Sequence, residues 1–112
     1  MKMRKATAIF VGLMLLPSAV TIADTVFVKY RGPVDTSNLS CEWVTRSSLV
    51  KRLCYDAKNR YVIVSLNGIY YHYCGMPSDV VRAWQVAESM GRFFNEYVKG
   101  RFDCRVNPVP EY

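Results

Sequence analysis

The sequence predicts a small α+β domain: an antiparallel β-meander of three or more strands, packed against two carboxy-terminal helices and stapled by disulfides. Three observations predict it. Residues 61 to 77 hold two β-branched and aromatic runs flanking Asn67-Gly68, the dipeptide that readily takes the two positive φ angles of a type I′ hairpin turn. Downstream, Val80, Ala83, Trp84 and Ala87 recur at helical spacing. Finally, Cys41, Cys54, Cys74 and Cys104 are an even set in a chain whose amino terminus reads as an export signal, which makes two disulfides the default.

That amino terminus opens Met-Lys-Met-Arg-Lys, runs apolar from Ala6 to Leu16, and reaches Ala23 just before Asp24. A basic start, a short apolar middle and a small residue at the cut make a secretory signal. The apolar run is shorter than the ~20 residues that span a bilayer, and Pro17 follows it. Residues 1–23 are therefore expected to leave, with no stable membrane anchor remaining and a periplasmic or secreted destination. Cleavage leaves 89 of the 112 residues, near the lower limit for a self-sufficient core. Lys plus Arg falls from 15 to 12 against 9 acids, and the formal charge from +6 to +3. So mild an excess does not by itself argue for nucleic acid.

Residues 24–45 read as an amino-terminal extension, with strand character at Val26 to Tyr30, a Gly32-Pro33 break and a polar loop from Asp35 to Asn38. A strand follows from Leu49 to Tyr55, then a turn, Asp56-Ala57-Lys58-Asn59, built from residues that bond locally. The hairpin comes next. If Leu66 pairs with Ile69, Val64 lies opposite Tyr71 and Val62 opposite Tyr73 on one core face, with Tyr55 facing the same side. The second face holds Cys54, Tyr61, Ile63, Ser65, Tyr70, His72 and Cys74. The extension, with Val26, Phe27, Val28, Tyr30 and Trp43, is expected to bury its apolar groups across or beside that face. Ser78 is the expected N-cap of the first helix, and Asp79 suits the positive end of its dipole. Phe94, Tyr97 and Val98 are expected to turn inward from a second short helix that stops near Gly100. In the tail, residues 103–112, Cys104 is the expected tether.

Strand geometry restricts the disulfides. Cys54 and Cys74 lie on strands separated by a third, at about twice the ~4.8 Å strand spacing, which removes that pairing and with it Cys41–Cys104. Of the two pairings left, Cys41–Cys54 with Cys74–Cys104 closes the shorter loops and is preferred. A zinc site would call for closer ligand spacing than gaps of 13, 20 and 30 positions; no metal and no cofactor is expected.

From Asn67 to Phe102 the ordered set Asn67-Gly68, Tyr71-His72-Tyr73, Gly75-Met76-Pro77, Ala87-x-Ser89-x-Gly91-x-Phe93-Phe94-Asn95 and Val98-Lys99-Gly100-x-Phe102 closely resembles the KTSC domain. This short module is also found at the carboxy terminus of some lysyl-tRNA synthetases. Ser47-Ser48 and Tyr55-Asp56 extend the match, so that it covers residues 46–102. The resemblance implies a β-meander plus helices, with RNA binding as the activity put forward for the family. It carries the central Tyr-x-Tyr motif onto Tyr71 and Tyr73, and the terminal motif onto Ser89, Gly91, Phe94, Asn95 and Lys99. The signal peptide, the extension and the four cysteines depart from the usual module. All three point outside the cytoplasm, where a domain seldom meets RNA.

The candidate binding residues are Tyr70, Tyr71, His72, Tyr73, Asn95, Lys99 and Arg101. Tyr71 and Tyr73 could stack bases, but their register assigns them to the core face. Tyr70 and His72 belong to the second face; if that face is covered, His72 is expected to be partly buried, neutral and hydrogen-bonded. No catalytic set can be assembled around this single histidine once the cysteines are oxidised. Asn95 is expected to bond the backbone of a neighbouring loop. Lys99, Arg101 and Arg105, with Arg92, form either an anion-binding surface or a helix end whose cations complement the dipole. The expectation is a non-catalytic protein-interaction or structural module with an unknown protein partner in the envelope or outside the cell. Nucleic-acid binding is the alternative.

Overall fold

The computed structural model describes residues 24–112, and the predicted signal segment 1–23 lies outside the described residues. Among the described residues six strands form one curled sheet: β1 (Thr25–Val28), β2 (Gly32–Asp35), β3 (Ser40–Trp43), β4 (Val50–Asp56), β5 (Tyr61–Leu66) and β6 (Ile69–Cys74). Their spatial order is β2-β1-β6-β5-β4-β3. All neighbours are antiparallel except β1, which runs parallel to β6 and pairs with it only at Val28 and Tyr70. The meander has the expected register, with Leu66 opposite Ile69, Val64 opposite Tyr71 and Val62 opposite Tyr73.

Two cores follow from that register. On the first face Leu53, Val62, Val64 and Leu66 pack with Met76, Val81, Trp84, Met90, Phe94 and Val98. Val50 joins them because β4 bulges between Val50 and Arg52, shifting the side-chain alternation by one residue. On the second face Cys54, Tyr61, Ile63 and Cys74 pack with Val28, Val34 and Leu39 of the extension. Every residue of β5 is therefore buried, as a central strand covered on both faces must be.

The extension thus flanks the meander at both edges and covers its second face, but three of its aromatic side chains stay in solvent: Phe27, Tyr30 and Trp43 are 68%, 83% and 71% exposed. Alternation is the reason for the first, since Val26 and Val28 turn inward and Phe27 outward. Trp43 stacks instead under the buried guanidinium of Arg52, 4.5 Å from its ring centre. Both expected disulfides form, Cys41–Cys54 across the β3/β4 ladder and Cys74–Cys104 from β6 to the tail.

Helix α1 (Ser78–Gln85) begins one residue earlier than expected, with extended Pro77 rather than Ser78 at the N-cap. The Pro77 carbonyl accepts from the N–H groups of Val80 and Val81. The helix rests on Val81 and Trp84, leaving Ala83 in solvent. Helix α2 (Met90–Phe93) is capped by the Ser89 hydroxyl, which accepts from Arg92 N–H at 3.1 Å. It widens into a π-type turn, Phe94–Val98, closed by Lys99 N–H donating to the Phe94 carbonyl at 2.8 Å. The wide turn buries Phe94 and Val98 and swings Tyr97 out, contrary to expectation, to pack on Phe93 at 4.8 Å. Gly100 ends it at φ 79°.

The tail is held by more than Cys104. Arg31 donates to the Pro110 carbonyl at 2.8 Å and lies between the rings of Tyr61 and Tyr112. The Tyr112 hydroxyl donates to Asp56 at 2.9 Å, and Val109 packs on the second core.

Candidate functional site

Because β1 meets β6 at a single point, no strand of the described residues covers the outer edge of β6 beyond Tyr70. Lys29 N–H donates to the Tyr70 carbonyl at 2.8 Å, and the chain then turns away through Tyr30 and Arg31. At the far end of β6, Cys74 N–H donates to the Phe102 carbonyl at 2.7 Å, and the bridge to Cys104 holds the segment after Gly100 alongside. Between these two attachments lies a cleft of about 530 Å³, lined by Tyr30, by Tyr71, His72 and Tyr73 of β6, and by residues 100–105.

Each wall has a distinct chemistry. Tyr71 and Tyr73 are half-buried against the first core, with the Tyr73 ring edge-on to Phe94 at 5.9 Å. Burial, and then the neighbouring Tyr71, push the Tyr73 hydroxyl above its usual pKa. The Lys29 ammonium lies 5.5 Å from the ring centre of Tyr30 and 5.7 Å from that of Tyr71, within cation–π range. Arg101 and Arg105 bring guanidinium groups to the opposite wall. Arg105 is tied to Asp103 at 2.8 Å, and those hydrogen bonds hold the Asp103 carboxyl down at about 2.

His72 lies on the second face, half-buried, with Nδ1 at 2.9 Å from the Tyr61 hydroxyl. A neutral ring can accept there and keep its proton on Nε2. Burial lowers its pKa from the ordinary 6.5, the Arg31 charge lowers it further, and Asp103 opposes them. A base whose folded pKa is depressed adds stability above the unfolded value of 6.5 and loses it as pH falls through the folded value. Stability should therefore decline on acidification through this window, and less so in His72→Gln. Titration of the imidazole by NMR is expected to give a pKa below 6.5; a value at or above it would contradict the packed, hydrogen-bonded ring.

The structure thus gathers Tyr71, His72, Tyr73 and Arg101 into one cleft and places the other candidates elsewhere. Tyr70 turns to the second core, its hydroxyl 3.4 Å from Arg52 Nη1. Lys99 is exposed beyond the π-type turn. Asn95 is exposed and makes no side-chain hydrogen bond among the described residues, so it does not bond a neighbouring loop. Sequence reasoning missed Tyr30, Phe102 and Asp103. Gly100 followed by Arg-Phe-Asp-Cys-Arg was the available signal, since a helix stop before a tethered cysteine returns the chain to the sheet. Among the described residues no group of three or more His, Cys, Asp or Glu could hold a metal ion. What the cleft offers is aromatic surface and cationic side chains.

Comparison with known proteins places this architecture. No curated protein matches the chain. The crystal structure of a KTSC domain protein from Yersinia pestis superposes with a TM-score of 0.54 at 30% identity, covering 58% of this chain and 92% of that one. The family model for the KTSC domain matches residues 46–102. Tyr30, Asp103, Cys104 and Arg105 fall outside that match, so the cleft is completed by segments flanking the shared module. With more than half of the sequence under the family model and the meander, helices and Tyr-x-Tyr motif in place, the chain belongs to the KTSC domain family.

Proposed function

We propose that this KTSC domain is exported and acts as a non-catalytic binding module of the cell envelope or the extracellular space, with the β6 cleft as its contact surface. One observation carries the reading: the family's Tyr71-x-Tyr73 strand forms the floor of a cleft whose remaining walls bring Tyr30 and Arg101 together, with the Lys29 ammonium against the rings of Tyr30 and Tyr71 beside it. The two disulfides support an oxidising compartment. No helix of the described residues is long and apolar enough to cross a membrane.

The aromatic and cationic lining favours nucleic acid as the second reading. Against it, Tyr71 and Tyr73 are half-buried in the first core, leaving Tyr30 as the one strongly exposed tyrosine of the cleft. Affinity capture from envelope extract separates the two. A cleft-binding protein should be retained by the wild type, survive nuclease treatment, and fall at least tenfold with Arg101→Glu, an exposed position whose reversal leaves the melting temperature unchanged. Material that is retained equally by the variant, or lost on nuclease treatment, would contradict the protein-binding assignment.

A further inference from the structure

In an antiparallel pair the N–H and C=O of one residue point to the same side, and the side alternates along the strand. The Tyr70 carbonyl bonds β1 and the Cys74 N–H bonds Phe102, both away from β5. His72 has the same parity. Both of its main-chain groups therefore point into the cleft, between those two attachments, and neither has a main-chain partner among the described residues. A free donor and a free acceptor on one residue of a strand edge match what one residue of an extended peptide presents.

Two further features frame the gap. Tyr30 and Phe102, on its opposite walls, both hold left-handed backbone, at φ 72° and 55°, a costly conformation for bulky side chains. Tyr30 is also 83% exposed, so core packing does not offset that cost. Charge is the other feature. Asp103 is neutralised by Arg105, whereas Lys29 and Arg101 have no ion pair among the described residues.

We infer that the cleft binds an acidic peptide segment in extended form, by main-chain pairing with His72, its carboxylates facing Lys29 and Arg101 and its side chains lying against Tyr30. This inference rests on the binding-module reading and names the class of partner. A nucleic acid matches the site less well, because its phosphates accept hydrogen bonds but supply no donor for the His72 carbonyl.

Amide hydrogen exchange on the oxidised, exported protein tests it. In the free protein His72 N–H should exchange at least tenfold faster than the N–H groups of Tyr71 and Tyr73, which face β5. The probe is a pool of blocked heptapeptides with Glu at the three even positions and Val, Thr or Tyr at the others. It should slow His72 exchange about tenfold, an effect lost in Arg101→Glu and absent with a pool carrying Lys in place of Glu. A His72 amide as slow as its neighbours without peptide, or unchanged by the acidic pool, would overturn the inference. If the oligonucleotide dT15 alone protected His72, or if Arg101-dependent capture persisted without any peptide effect, strand pairing would be wrong while the binding reading stood.

Discussion

Removal of the Cys74–Cys104 bridge, in Cys74→Ala/Cys104→Ala, is expected to cost about 3.6 kcal/mol of stability at 25 °C on the loop-entropy relation. The bridge closes a separation of 30 residues, against 13 for Cys41–Cys54, for which the same relation gives about 2.9 kcal/mol. A small domain has only about 5–15 kcal/mol in all, so either loss is severe. The two variants differ in a second respect. Cys41–Cys54 joins residues already paired on adjacent strands, whereas Cys74–Cys104 anchors the segment that forms one wall of the cleft. Urea unfolding of the two double variants should therefore rank Cys74–Cys104 as the costlier loss, and only that loss should abolish binding at the cleft. Equal stabilities with binding intact in both would contradict the anchoring role.

Trp84→Ala is expected to cost about 3–5 kcal/mol, the range for emptying a buried large aromatic site. Trp84 is fully buried, stacks with Phe93 and Phe94 at 6.2 and 6.1 Å, and donates from Nε1 to the Met90 carbonyl at 3.1 Å in the core. Truncation leaves a cavity and strips a buried carbonyl of its partner. Trp84→Phe should cost less, because a ring still fills most of the site while the hydrogen bond is lost. The denaturation midpoints of both variants check the order. A cost below about 1 kcal/mol for Trp84→Ala would mean that α1 is not part of the cooperative core.

Much of this fold was legible because it is written in local signals. Asn67-Gly68 set the hairpin, and the period-two pattern around it placed Val62, Val64, Tyr71 and Tyr73 on one face without reference to the rest of the chain. Strand spacing removed one of the three disulfide pairings, and the preference for the shorter loops chose between the two left. Some misreadings arise because burial is decided by partners distant in sequence, others because local backbone geometry re-aims a side chain. Trp43 is held in solvent by the Arg52 guanidinium, and Arg52 reaches that face because of a bulge at Val50 that no propensity announces. Tyr97 turns outward because the second helix widens into a π-type turn. The candidate site was half legible. Tyr71, His72, Tyr73 and Arg101 were singled out from the motif and the charge cluster, but the cleft exists only because β1 touches β6 at one residue and the tail returns through Cys104.

Whether this domain works in an oxidising compartment, as we propose from its two disulfides, is tested most directly by the intact mass of the protein recovered from its native host. The mass should correspond to a chain beginning at Asp24 and lighter by four hydrogens than the fully reduced form. A mass that retains residues 1–23, with four free thiols, would contradict both the export and the envelope role.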